Sequence, residues 1–195
     1  MKKLEDINAY AKEHHVPVMM EDGLECMLEL LKQYQVCSFL EIGTAIARTS
    51  LAVAQLDPKM QIVTIERDPN MIEQAKLNIT QSQNAKQIML IEGDALEVEI
   101  PNQKFDCIFI DAAKGQYQRF FVKYAPFLSE NGIIISDNMF FHGLVEHPER
   151  TNNRNTKALV RKIAAYQQFL KEQEEYETEF LSVGDGIALT RKKKV

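Results

Sequence analysis

No run of the 195 residues stays apolar for the ~20 positions that a membrane span needs. The widest runs, Val36 to Leu40 and Ile108 to Ile110, are soon broken by polar residues, so no transmembrane helix is expected. An export signal is missing too: Met1-Lys2-Lys3-Leu4-Glu5-Asp6 turns acidic where a signal peptide requires an apolar stretch, and a cytoplasmic protein is expected. There is no excess of basic charge. Lys+Arg 23 against Asp+Glu 28 gives a net charge of −5, which excludes a protein that coats nucleic acid through a strongly basic surface. Cysteine is scarce, and the three present (Cys26, Cys37 and Cys107) are widely spaced within apolar segments. That pattern predicts reduced thiols in the core, neither a disulfide framework nor a zinc site.

Hydrophobic residues at 45% and charged residues at 26% describe an ordinary globular chain. The length predicts one domain over 1–195, with N-terminal helices over 1–34 and an α/β core over 36–195. Leu24, Met27, Leu28 and Leu31 fall at i, i+3, i+4 and i+7, an amphipathic helix that opens on Glu21 and Asp22 at its positive end. Short β-rich runs then alternate with helical ones. Strands are predicted at Val36 to Ile42, Gln61 to Glu66, Gln87 to Ile91, Phe105 to Ile110 and Gly132 to Ser136. Between them lie helices at about Thr49 to Gln55 and after Asp68-Pro69-Asn70, and a long one follows at about Arg154 to Glu174. A hairpin, Tyr176 to Val183 and Gly186 to Lys192 around Gly184-Asp185-Gly186, completes a Rossmann-like seven-stranded sheet, mostly parallel with an antiparallel last strand and helices on both faces. Lys2, Lys3 and Lys12 are outnumbered by nearby acids. The terminal Arg191-Lys192-Lys193-Lys194 reads as a solvated tail.

In such a sheet ligands sit beyond the carboxyl ends of the strands, so the residues just past each strand carry the functional signal. Glu41-x-Gly43 closes the first strand, where glycine lets backbone and ligand approach closely. Glu66 closes the second, about 20 residues on, where a carboxylate can accept both hydroxyls of a ribose. Gly93-Asp94-Ala95 closes the third, where an acid can take the exocyclic amine of adenine. NAD would require G-x-G-x-x-G around its pyrophosphate, and here only Gly43 is glycine, with Ala47 at the later position. S-adenosylmethionine has no phosphate and is cationic at its reacting end, which suits the acidic Glu41. It is the better fit.

The fourth strand delivers Asp111 and the fifth Asp137-Asn138, and neighbouring strands lie ~4.8 Å apart, so these side chains can converge on one ion. Two carboxylates and an amide are hard oxygen ligands, suited to Mg²⁺, Mn²⁺ or Ca²⁺ and not to zinc. Lys114, in Asp111-Ala112-Ala113-Lys114-Gly115, sits where its side chain can fold back toward the ion, and its amine is the candidate to accept or buffer a substrate proton. Asp111 and Lys114 are thus the candidate catalytic residues.

Leu40-Glu41-Ile42-Gly43-Thr44, Ile65-Glu66-Arg67-Asp68, Glu92-Gly93-Asp94-Ala95-Leu96, Phe109-Ile110-Asp111-Ala112-Ala113-Lys114, Ser136-Asp137-Asn138 and Val183-Gly184-Asp185-Gly186 together resemble the class I S-adenosylmethionine-dependent O-methyltransferases of the metal-dependent catechol and caffeoyl-CoA type. Val16-Pro17-Val18-Met19, Ala113-Lys114-Gly115-Gln116-Tyr117 and Phe141-His142-Gly143-Leu144-Val145 most resemble the bacterial branch that methylates tRNA 5-hydroxyuridine. The resemblance implies a cofactor site lined by Met19, Thr49, Glu66, Asp94, Ala95 and Asp111. It implies Mg²⁺ on Asp111, Asp137 and Asn138, and a homodimer. Two departures stand out. Ala47-Arg48-Thr49 replaces the family's usual Gly-Tyr-Ser, adding a methyl and a charge to the cofactor loop, and the segment before Val16 is shorter than in many relatives.

The function expected from all this is Mg²⁺-dependent methyl transfer from S-adenosylmethionine to the 5-hydroxyl of wobble 5-hydroxyuridine in a tRNA anticodon loop, giving 5-methoxyuridine. Arg48, Arg150, Arg154, Lys157 and Arg161 are the candidates for a phosphate-binding strip. The alternatives are methylation of a small catechol-like or caffeoyl-type metabolite, which presents the same vicinal oxygen pair, and a non-catalytic adenosyl-nucleotide binding module.

Overall fold

The computed structural model describes residues 3–194, so Lys2 lies outside the described residues. Its helices α1 (Leu4–Glu13) and α2 (Glu21–Gln33) precede β1 (Ser38–Ile42), α3 (Arg48–Ala54), β2 (Gln61–Glu66), α4 (Pro69–Thr80), β3 (Ile88–Glu92), β4 (Phe105–Ile110), α5 (Tyr117–Tyr124), β5 (Leu128–Ser136), α6 (Arg154–Lys171), β6 (Tyr176–Leu181) and β7 (Ile187–Lys192). The sheet has seven strands in the order β3-β2-β1-β4-β5-β7-β6. Strands β1 to β5 pair in parallel, and β7 runs antiparallel to both β5 and β6. Each predicted strand is present, with β1 starting two residues late and β5 four residues early.

Side chains alternate between two apolar layers, as a sheet covered on both faces requires. Leu40, Ile42, Ile108, Ile110 and Ile134 pack with Tyr117 and Phe121 of α5 and Tyr166 and Leu170 of α6. Phe39, Cys107, Phe109, Ile133 and Ile135 pack with Leu24, Met27 and Leu31 of α2 and Val53 of α3. Asp68 caps α4 by accepting from the N–H groups of Asn70 and Met71, with Pro69 at the first helical position.

Two expectations need correction. Of the cysteines only Cys107 is a core thiol; Cys26 is half-buried and Cys37 exposed, because Cys37 precedes β1 in the connection from α2, where its Sγ donates to the carbonyl of Gln35 at 3.6 Å. The basic terminus is not simply a solvated tail either. Arg191 and Lys192 belong to β7 and pair with Glu177 at 2.6 Å and Glu130 at 2.9 Å. Among the described residues no helix is long and apolar enough to cross a membrane.

Candidate active site

Register levels the strands so that Ile42, Ile65 and Ile110 stand side by side, and Ser136 beside Ile110. The residues that follow therefore gather at one rim, where β1, between β2 and β4, is the topological switch point. A cleft of about 720 Å³ opens there. Met19, Gly43, Thr49, Glu66, Asp94, Ala95, Asp111, Lys114 and Asn138 all face it. Gly43 adopts φ +103°, and a Cβ at this position would overlap the carbonyl oxygen of Asp111, so only glycine lets β1 and β4 end this closely.

Glu66 is fixed by the backbone around it. Its Oε2 accepts from Ala45 N–H at 2.8 Å, and its Oε1 from Arg67 and Asp68 N–H at 2.8 and 3.0 Å. The carboxylate thus clamps the loops after β1 and β2 together at the cleft. Asp94 accepts from the N–H of Leu96 at 2.8 Å and pairs with Arg67 at 3.0 Å; those contacts, the backbone bond first, hold its carboxyl below the usual value.

Glu41 does not line the cleft as expected. Strand parity turns it to the α3 side, where it is fully buried and accepts from the hydroxyls of Ser50 and Thr64. Burial raises its pKa to about 8, against the pull of those two hydrogen bonds and with a push from Asp111 and Glu66. Any influence on a bound cation is exerted from beneath the wall.

At the other end of the cleft, burial raises the pKa of Asp111, and it raises Asp137 to about 7, where the charge of Asp111 adds to the effect. The Lys114 ammonium opposes both shifts. Asp137 itself lies under the cleft floor, 2% exposed. Asn138 is left-handed at φ +59°, an unusual conformation for a residue with a side chain. Its Nδ2 donates to Asp185 at 3.1 Å, which leaves its Oδ1 as the free end. In the sequence Asp185 stands in a hairpin turn and in one of the motifs of the resemblance, with no role of its own; in the fold it is 5% exposed, and it also accepts from the backbone N–H of His142. The only trace of this role in the sequence is a carboxylate held between two glycines.

The donor set fits a hard divalent cation: two buried carboxylates whose charges repel, and an amide oxygen with its nitrogen already committed. Among the described residues no three His, Cys, Asp or Glu side chains gather to hold an ion.

One of the residues expected to bind phosphate is not on the surface. Arg48 is 3% exposed and cannot belong to the expected strip: Nε donates to Asn8 at 2.6 Å, Nη1 to the Met19 carbonyl at 2.8 Å, and Nη2 pairs with Glu21. Placed at the start of α3 and aimed inward, it ties α1 and α2 to the loop after β1. Arg150, Arg154 and Arg161 are exposed and Lys157 half-exposed. Lys162 lies across the turn that carries Lys114, its Nζ 3.3 Å from where a Gly115 Cβ would stand.

The chain matches the O-methyltransferase family over residues 1–193. Among solved structures, it is similar to a Staphylococcus aureus protein provisionally assigned as a caffeoyl-CoA O-methyltransferase, with 35% identity, a TM-score of 0.94, and 99% of this chain and 93% of that one covered. It is also similar to the SAH-bound Podospora anserina methyltransferase, at 27% identity and TM-score 0.79, over 90% of this chain and 80% of that one. A catechol O-methyltransferase of Niastella koreensis is 34% identical over 126 residues, 60% of this chain and 57% of the relative. The chain spans about three fifths of the length of the first curated relatives it matches.

Proposed function

The chain belongs to the O-methyltransferase family, and from that premise we propose that it transfers the methyl group of S-adenosylmethionine to a hydroxyl of a small catechol-like metabolite with two vicinal oxygens. The observation that carries this reading is the pairing, in one cleft, of the Glu66 and Asp94 carboxylates at one end with Asp111, Asn138 and Lys114 at the other. Relatives support it: the Niastella koreensis protein is a catechol O-methyltransferase, and the Podospora anserina methyltransferase is SAH-bound.

In this reading Glu66 takes the ribose hydroxyls and Asp94 the adenine amine, while Met19, Thr49 and Ala95 close around the cofactor. Asp111, Asp137 and Asn138 would hold Mg²⁺ or Mn²⁺. Bound there, such an ion would supply the Lewis acidity that lowers the pKa of the attacking hydroxyl. Lys114, at the same end, would take the hydroxyl proton as a neutral amine, becoming the ammonium, and the protein's main contribution is to orient the two reactants. A methyl-transfer assay with catechol and caffeoyl acceptors, run in EDTA and then with Mg²⁺ or Mn²⁺ restored, tests the reading; full activity in chelator would exclude the metal.

A second reading, transfer to 5-hydroxyuridine in tRNA, retains one observation in its favour. Arg150, Arg154, Arg161 and Lys162 are exposed, and none is in an ion pair among the described residues. Their free charge suits phosphate contacts. Methylation of tRNA carrying 5-hydroxyuridine that falls steeply with salt and on Arg154→Ala would favour this acceptor. Efficient, salt-insensitive catechol methylation without transfer to tRNA would exclude it.

A further inference from the structure

The turn that carries Asp94 is held from behind the cleft by the last two residues of α5. Lys123 Nζ donates to the carbonyls of Ala95 at 2.8 Å and Val98 at 2.7 Å, and Tyr124 Oη donates to the same Ala95 carbonyl. Both acceptor positions of one carbonyl are thus filled from one helix. The front of the turn is tied as closely. The Asp94 carbonyl accepts from Glu97 and Val98 N–H at 2.8 and 2.9 Å, the Asp94 carboxylate from Leu96 N–H at 2.8 Å, and Gly93 N–H donates to the Glu66 carbonyl at 2.7 Å. Val98 closes over Gly93 so tightly that a Cβ there would stand 2.5 Å from Val98 Cγ1. The turn is neither helix nor strand, so its carbonyls need donors from outside. A lysine is a costly one: it is half-buried, burial pulls its pKa down, and among the described residues it is in no ion pair that would offset that cost.

We propose that Lys123, supported by Tyr124, is a positioning residue for the base of the cofactor: α5 holds the turn over 94–98 by its carbonyls, fixes the Asp94 carboxylate relative to Glu66, and so makes the cleft selective for adenine. The inference rests on the S-adenosylmethionine reading and assigns the support behind it. A carboxylate accepts from the exocyclic amine of adenine and repels a base that shows a carbonyl oxygen at that place. Such discrimination needs a carboxylate that cannot move aside, and a contact residue is only as precise as the layer that holds it. Ala95 and Leu96 also line the cleft, so a shift of their backbone would be felt by the base directly. Neither Lys123 nor Tyr124 lines the cleft, and their part is to hold the turn and not to touch the cofactor.

The test titrates the whole chain, by calorimetry, with S-adenosylhomocysteine and with its deaminated analogue, in which a carbonyl oxygen replaces the amine of the base. Wild type should bind the adenine form about tenfold or more tightly, the scale of a hydrogen bond to a charged group. Lys123→Met, close to lysine in length but without a donor for either carbonyl, should weaken the adenine form and narrow that ratio several-fold. Lys123→Arg, which keeps the charge and the donors, should preserve most of it. A merely structural loss lowers both affinities alike, so a wild-type ratio in Lys123→Met overturns the role of Lys123. If the methionine variant does not fold, Tyr124→Phe removes one of the two donors on the Ala95 carbonyl; the ratio should narrow there too, and an unchanged ratio overturns the role. A wild-type protein that binds both forms equally overturns the placement of adenine against Asp94, and one that binds neither overturns the cofactor reading itself.

Discussion

The side-chain amide of Asn138 donates to Asp185 Oδ2 at 3.1 Å, joining the end of β5 to the turn between β6 and β7. Asp185 also accepts from the backbone N–H of His142, so one buried carboxylate sets both the amide of a candidate ligand and the loop that follows it.

Removing that carboxylate leaves two donors in the fold without their acceptor. Asp185→Ala should lower stability by about 1.5–3 kcal/mol, the scale of hydrogen bonds to a charged group. It should also weaken Mn²⁺ binding while leaving cofactor affinity near wild type, because Glu66 and Asp94 lie at the far end of the cleft. Denaturant melts and paired calorimetric titrations check this, and equal loss of both ligands would mean that Asp185 holds the whole cleft and not one end of it.

Glu66→Ala should weaken S-adenosylmethionine by roughly 1.5–3 kcal/mol, and wild type should bind that cofactor and not NAD. The variant also frees the N–H of Ala45, so the loop after β1 should become more mobile. Calorimetry decides, and unchanged affinity would move the ribose elsewhere in the cleft.

Arg48 is an internal clamp, so Arg48→Ala should destabilise the protein by about 2 kcal/mol through the lost bonds to Asn8 and the Met19 carbonyl. The Glu21 partner is largely exposed and adds little. Cofactor affinity should fall as well, since Met19 lines the cleft. Any activity on tRNA should keep its salt dependence in this variant, because a buried guanidinium contacts no phosphate.

Much of this was legible in the sequence, for a physical reason. Strands are short, β-branched and followed by glycine or acid, and parallel pairing brings their ends to one rim, so the sequence alone places Gly43, Glu66, Asp94 and Asp111 together. Orientation was harder to read. Glu41 sits one pleat from Leu40 and Ile42, and which face its strand presents to α3 depends on packing that local patterns do not encode. Arg48 looks like a surface charge in any window of neighbours, since its partners Asn8 and Glu21 come from helices far away in the chain. Asp185 reaches Asn138 only because β7 inserts between β5 and β6, a sheet order that the hairpin signal does not reveal.

Three buried carboxyls with raised pKa values make the metal-free protein sensitive to rising pH. Glu41 holds its proton to about 8 against an ordinary 4.5, and Asp137 to about 7 against 3.8, with Asp111 shifted in the same direction. Between those limits the folded chain keeps protons that the unfolded chain has released, so stability is full below the ordinary values and declines as pH rises through the folded ones. Asp94 has the opposite sign, but it acts only below 3.8, outside this window. In EDTA the melting temperature should therefore fall steadily from about pH 5 to about pH 8. Glu41→Gln, which keeps a neutral acceptor for Ser50 and Thr64, should flatten the upper part of that decline. Mg²⁺ should raise the melting temperature more at the alkaline end, because a cation on Asp111 and Asp137 replaces the protons they would otherwise retain. Thermal melts of both proteins across this range, with and without Mg²⁺, give the answer: a melting temperature that rises with pH in EDTA would show that these carboxyls are ionised in the fold and would remove the electrostatic case for a cation between β4 and β5.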